Sequence, residues 1–344
     1  MAGRAAGQVT LPEPRAVAER AARASYGQLV ALLASSTRDI TLAEDALADA
    51  FERALRTWPS NGVPDNPEGW LLTVARNRIR DTFASARIRT TAPIDEDIAA
   101  ALVERDLDAI PDKRLELLFA CAHPAIDPDV RTPLMLQVVL GFDAARVARA
   151  FGMQPSAMSQ RLVRAKRRIR DTGIPFRLPT IGDMPVRLPP VLEAIYGAYA
   201  IDWLDQHEHI HESIADDARW LAVLTANLLV TEPEAWGLAA LITLAQSRAP
   251  ARTTTPWPPL DEQDTTLWDR SLIAEGEMFL HRAHALGAPL GRFQIEAAIH
   301  SAHCDRVRTG EVDRATIVQL YRGLNVIAPT SGAREALEAL TVQS

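Results

Sequence analysis

Residues 142–169 read FDAARVARAFGMQPSAMSQRLVRAKRRI, and the spacing within this stretch decides the fold. Asp143 stands where an acidic side chain caps a short helix over 144–151. Ala148 is small where two helices would cross, and Gly152 follows four residues later, where a tight turn needs a positive φ. Met158 comes six residues after that and would plug the space between the helices. Small, glycine and apolar residues at these intervals are the helix-turn-helix signature. A second helix starts near Gln154-Pro155, with Met158, Leu162, Ala165 and Ile169 on one face. Gln160, Arg161, Arg164, Arg167 and Arg168 fall on or beside the other. Six of the ten residues 161–170 are basic and none is acidic, which suits a helix in the major groove. The plainer reading is a solvated basic helix with no ligand, but a charge run alone would not bring the Ala-Gly-Met spacing with it.

The charge around this stretch is uneven. The chain of 344 residues carries a net −7, yet residues 131–178 hold ten Lys or Arg against two Asp or Glu. Residues 91–130 hold three against ten, and residues 179–344 twelve against twenty-two. A basic block inside an acidic protein is the footprint of an anion partner, most often nucleic acid. At 47% hydrophobic and 6% aromatic, rich in Ala, Leu and Arg, the composition favours packed helices in two or three domains. Cys121 and Cys304 are the two cysteines, too few for a disulfide framework, so a cytoplasmic setting is expected. No apolar stretch approaches the ~20 residues of a membrane span, and MAGRAAGQVTLPEP has no apolar signal region. No membrane partner is expected.

Working outward, an all-α chain of successive modules emerges. Residues 15–90 form a helical domain, in which Thr41-Leu-Ala-Glu44 reads as a capping box. Leu47, Phe51, Leu55 and Trp58 line one face of that helix, while Asp45, Asp49, Glu52, Arg53 and Arg56 make a charged face. The helix is expected to stop at Trp58-Pro59, leaving 59–66 as a loop, with Asn66-Pro67 as cap and first residue of the next helix. Trp70, Leu71, Val74, Ala75, Ile79 and Phe83 form its apolar side, and Arg76, Asn77, Arg80 and Arg87 its other side. Residues 91–112 are an acidic linker, 113–172 a second helical domain, 173–189 a stiff connector with four prolines, and 190–344 a third, mostly helical part. Within the last, 249–259 is a Pro/Thr-rich loop, and helix pairs of solenoid type are plausible for the rest.

Two stretches of the first domain, AEDALADAFERALRTW (43–58) and WLLTVARNRIRD (70–81), resemble region 2 of the extracytoplasmic-function (ECF) RNA polymerase sigma factors. LGFDAARVARAFGMQPSAMSQRLVRAKRRIR (140–170) resembles region 4 of the same family, in the right order and across an acidic linker. PDKRLELLFACAHPAI (111–126), DTGIPFRLP (171–179) and DEQDTTLWDRSLIAEG (261–276) are similar to a subgroup with a tetratricopeptide-like C-terminal extension. The resemblance departs in the short basic tail, Arg87 and Arg89, and at Tyr196-Gly-Ala-Tyr199, where the subgroup often has Asn-Glu-Gly-Tyr. It implies a sigma factor that binds core RNA polymerase, through the beta-prime clamp helices and the beta flap, and promoter DNA. Asp45, Asp49, Glu52, Arg53 and Arg56 would then face the clamp helices. The 59–66 loop would hold a flipped base of the minus-ten element, with Arg76, Asn77 and Arg80 on the same melted strand. Ser159, Gln160, Arg161, Val163 and Arg164 would face the minus-thirty-five element, with Arg167 and Arg168 on phosphates. The acidic extension would bind a protein or fold back on the basic module.

Other residue clusters weigh less. His207, His209 and His211, and His281, His284, His300, His303 and Cys304, read as surface or partly buried side chains rather than zinc ligands. Cys121-Ala-His123 reads as structural rather than as a nucleophile and its base. Asp95-Glu-Asp97 reads equally as solvated linker or nucleic-acid mimic. No catalytic residue, cofactor or metal is expected. The rivals are a conventional helix-turn-helix regulator that never touches polymerase, and a helical-repeat interaction scaffold.

Overall fold

In the computed structural model every regular element among the described residues is helical. Those residues are 14–89, 113–204, 212–252, 258, 260 and 262–342; the acidic linker, the histidines 207–211 and Trp257 lie outside them. The chain divides into two compact units, Met1–Leu188 and Pro189–Ser344.

The first unit starts with three helices, α1 (Pro14–Thr37), α2 (Ile40–Asn61) and α3 (Pro67–Arg89), each packed on the other two. The cap of α2 differs from the expected Thr41–Glu44 box. Asp39 is the N-cap and its carboxylate accepts from Leu42 N at 3.2 Å, because Arg38 turns the chain with φ 57 one residue earlier. The buried stripe of α2 is Ile40, Ala43, Ala46, Leu47, Ala50, Ala54 and Trp58, which keeps Leu47 and Trp58 of the expected face but not Phe51 and Leu55. Leu55 is 46% exposed: small alanines let α1 and α3 approach, and the packed face rotates toward them. Nor does α2 stop at Pro59. It runs to Asn61, and Gly62 (φ 83) closes it by donating to the Trp58 carbonyl. Pro59 removes only the N–H owed to Leu55, whose exposed flank leaves that carbonyl to water. Asn66 does cap α3, accepting from Gly69 N at 2.8 Å.

Four further helices complete the unit: α4 (Arg114–Cys121), α5 (Pro128–Val138), α6 (Ala144–Ala150) and α7 (Pro155–Asp171). They are not held apart from the first three. Helix α4 lies on α1, and α7 on α2. A Cβ on Gly27 of α1 would sit 1.8 Å from the Val139 carbonyl oxygen, so only glycine permits that approach. The two sequence modules therefore form one packed unit.

The connector is shorter than its prolines suggest. Helix α8 (Met184–Leu204) takes in Pro185, Pro189 and Pro190, and the unit boundary falls within it. Pro185 sits in the first turn, where the N–H groups have no intrahelical partner, whereas Pro189 and Pro190 each forgo one hydrogen bond beside the buried Leu188, Val191 and Leu192. The second unit continues with α9 (Glu212–Leu228), α10 (Pro233–Gln246), α11 (Arg270–Ala285), α12 (Arg292–Cys304), the short α13 (Arg306–Thr309), α14 (Arg314–Ile327) and α15 (Ser331–Val342). Its axis is α10, buried without a break from Ala235 to Ala245 and flanked by α9, α11 and α12. Gly237 lets α12 close in: a Cβ there would meet Gln294 N at 2.8 Å. The start of α12 has no side-chain cap of its own; Glu234 of α10 accepts from Phe293 N and Gln294 N instead, at 2.9 and 3.2 Å. Helix α14 lies on α12 and α15 on α14, a succession of neighbours of the solenoid kind.

Candidate nucleic-acid interface

The helix-turn-helix forms as its spacing predicts. Asp143 caps α6, accepting from Arg146 N at 2.8 Å, and Gly152 takes φ 62 in the turn. Ala148 and Met158 are fully buried, and Leu162 and Ile169 follow Met158 into the core. That packing fixes the outer face of α7. Ser159, Gln160, Arg161, Val163, Arg164, Arg167 and Arg168 are all exposed there.

The arginines separate into two sets. Arg161, Arg164 and Arg168 line one open groove of about 660 Å³ between α7 and the turn 124–128. Three guanidiniums along one wall give it the chemistry to hold anionic oxygen. Arg167 instead leans to Asp171, 3.4 Å away. Val163, 65% exposed, is an apolar contact amid the charge, the kind that meets a thymine methyl.

One of the six basic residues of 161–170 turns inward. The Lys166 ammonium lies 2.8 and 2.7 Å from the two oxygens of Glu44 on α2, with both side chains largely shielded. Tyr26 of α1 donates to the same carboxylate at 3.5 Å, and its phenol is pushed up by burial and by Glu44. Arg170 approaches Asp39 at 3.7 Å beside this pair. Sequence reading missed it because the partners stand 122 residues apart. Cys121 lies near the same charges, fully buried, its thiol pushed up to about 12 mainly by burial, which makes it a poor nucleophile.

On the first three helices, Asn77 and Arg80 are exposed on α3 and bonded to each other, with Arg76 half-buried alongside. The ends of the 62–66 loop are pinned by the Trp58 and Trp70 rings, edge to face at 5.5 Å. On α2, Asp45, Glu52, Arg53 and Arg56 are exposed, and Glu52 and Arg56 stand 3.9 Å apart. Asp49 is engaged by Arg78 of α3 at 2.5 Å, a partner that lies 29 residues away and that local spacing does not single out. In the extension, His300 and Cys304 receive hydrogen bonds from the buried Arg248, a cation where zinc would need the same lone pairs. Among the described residues no helix is long and apolar enough to cross a membrane.

Comparison with known proteins identifies the family of the first domain. Residues 22–88 match the family model of sigma-70 region 2, and residues 187–284 match a family of unknown function, DUF6596. An uncharacterized protein of Rhizobium meliloti is 34% identical over 304 residues, covering 85% of this chain and 72% of its own. A probable ECF RNA polymerase sigma factor, SigI of Mycobacterium tuberculosis, is 29% identical over 158 residues, 44% of this chain and 54% of that protein. The ECF RNA polymerase sigma factor BldN of Streptomyces coelicolor is 30% identical over 127 residues, 36% of this chain and 48% of that one. The chain thus spans about half the length of these two sigma factors. No solved structure matches it. A region 2 helical domain, sigma-factor relatives and an all-helical extension together place the chain in the ECF-type RNA polymerase sigma factors, as a member with a C-terminal extension of the DUF6596 family.

Proposed function

We propose that the chain directs promoter-specific transcription by bringing core RNA polymerase to a two-part promoter, without catalytic residues of its own. Helix α7 enters the major groove of the upstream element. Gln160, Arg161, Val163 and Arg164 read base edges there, and Arg168 joins the arginine row on phosphate. Asn77, Arg80 and Arg76 of α3 and the pinned 62–66 loop take the melted minus-ten strand. Asp45, Glu52, Arg53 and Arg56 of α2 face the clamp helices of the beta-prime subunit, and the helix-turn-helix module meets the beta flap. Two modest DNA contacts made together multiply through effective concentration. The acidic extension is suited to a protein partner rather than to DNA.

The observation that carries this reading is the Arg161–Arg164–Arg168 row, exposed on a helix whose opposite face is locked by Met158, Leu162 and Ile169. A conventional regulator would share that helix but not the region 2 domain that precedes it. Run-off transcription with reconstituted holoenzyme tests the proposal. Arg161→Ala or Arg164→Ala is expected to cost roughly 1–3 kcal/mol and to relax preference at the upstream element. Failure of the chain to bind core polymerase, or equal transcription by wild type and variants from matched and mutated promoters, would overturn it.

A further inference from the structure

The extension contains a cavity that promoter recognition does not use. It measures about 340 Å³ and lies where α8, α10 and α12 meet. Tyr196, Tyr199 and Ala200 of α8 form one wall, Leu241 and Ala245 of α10 the floor, and Glu296 and His300 of α12 the other wall. Cavities of this size, mostly apolar with a few converging polar groups, are the usual form of a small-molecule site.

The polar groups are arranged with definite hydrogen-bonding roles. Arg248 is 2% exposed, and its guanidinium donates to His300 Nδ1 at 2.5 Å and to Cys304 Sγ at 3.7 Å. A guanidinium only donates, so Nδ1 is an acceptor. Burial and the adjacent Arg248 hold the imidazole well below its ordinary titration range, so it is neutral and carries its one proton on Nε2. The charge of Arg248 behind the ring, hydrogen-bonded to uncharged groups, polarises that N–H toward an acceptor. One helical turn earlier, Glu296 accepts from Arg292 at 2.7 Å and presents a carboxylate to the same cavity. Side chains four apart on a helix are neighbours. His300, whose Nε2 is the nitrogen Arg248 leaves untaken, and Glu296 both line the α12 wall, with Tyr196 and Tyr199 also lining the cavity. An anion would meet Glu296, and a cation would meet Arg248 and Arg292, so a neutral ligand fits best.

We propose that this cavity binds a small neutral aromatic lactam or amide, its carbonyl taking the His300 Nε2 hydrogen bond and its N–H donating to Glu296, with the ring between the tyrosines and Leu241. The site makes the extension a small-molecule binding module, and it stands independently of how the first unit reads DNA.

The test titrates the full chain with 2-quinolone and with N-methyl-2-quinolone, which keeps the carbonyl and the ring but lacks the N–H, by ligand-observed NMR and calorimetry. Saturable binding of 2-quinolone is expected, weakened about tenfold by N-methylation, the worth of one hydrogen bond to a charged group. Ala200→Phe, which fills the cavity from α8, is expected to remove binding while the helical circular dichroism stays as in wild type. No saturable binding of 2-quinolone into the millimolar range, equal binding of the two probes, or undiminished binding to folded Ala200→Phe would overturn the proposal. Should that variant not fold, the two probes on the wild-type chain decide alone.

Discussion

Substituting Glu44→Gln tests whether the contact between the first three helices and α7 is a working closure. Lys166 holds both oxygens of Glu44 at 2.8 and 2.7 Å, with side-chain exposures of 10% and 18%. The names of the two promoter elements place them about 25 base pairs apart, roughly 85 Å of duplex at 3.4 Å per pair. If the two modules take these elements as proposed, modules joined by a direct ion pair cannot span that distance, and the proposal requires the contact to open. Removing one partner of a buried pair costs about 3–5 kcal/mol. Partial exposure lets water relieve some of this, leaving about 2–3 kcal/mol. At 1.4 kcal/mol per factor of ten, the ratio of closed to open molecules falls roughly 30- to 150-fold. Cys121 reports the change, because both charges of the pair act on its thiol and it is fully buried in the closed form. In a Cys304→Ser background, Glu44→Gln is expected to speed labelling of Cys121 by a disulfide reagent by about the same factor, since labelling follows the open population when reclosing is fast. Exchanging the charges, Glu44→Lys with Lys166→Glu, should restore much of the protection. Labelling of Glu44→Gln at the wild-type rate, with helicity intact, would refute the reasoning.

Other outcomes follow from single contacts. Asp143→Ala removes the cap on Arg146 N and should lower stability by ~1 kcal/mol, read by denaturant titration, with a parallel loss of upstream-element binding as α6 frays. Gly237→Ala pushes a Cβ to within 2.8 Å of Gln294 N, so α10 and α12 must part, at ~1–3 kcal/mol in the thermal unfolding of the extension. The pH dependence of the extension follows from His300, whose folded titration point is depressed by burial and by Arg248. Below the ordinary histidine value of about 6.5 the unfolded chain takes a proton that the folded chain does not, so stability should fall as pH drops through that value. His300→Asn, compared by calorimetry across pH 5–8, should flatten that slope.

What the sequence made legible was local. The Ala148–Gly152–Met158 spacing and the Asn66-Pro67 start act within one or two turns of chain, and both appear as read. What it concealed depends on partners brought from afar. Lys166 belongs to a basic run and looks solvated until Glu44 arrives from α2. Likewise α12 has no local cap, because Glu234 of another helix supplies the acceptor. Prolines misled in the same way, since Pro59, Pro189 and Pro190 signal a break wherever local hydrogen bonding decides. Here buried stripes on α2 and α8 hold the helix through the lost bonds. The candidate interface divides along the same line. Periodicity gave the outward face of α7, but the sorting of its basic residues into groove-lining arginines and a Glu44-facing lysine is a tertiary property. The basic run thus divides: Lys166 has its anion within the protein, while Arg161, Arg164 and Arg168 line the open groove.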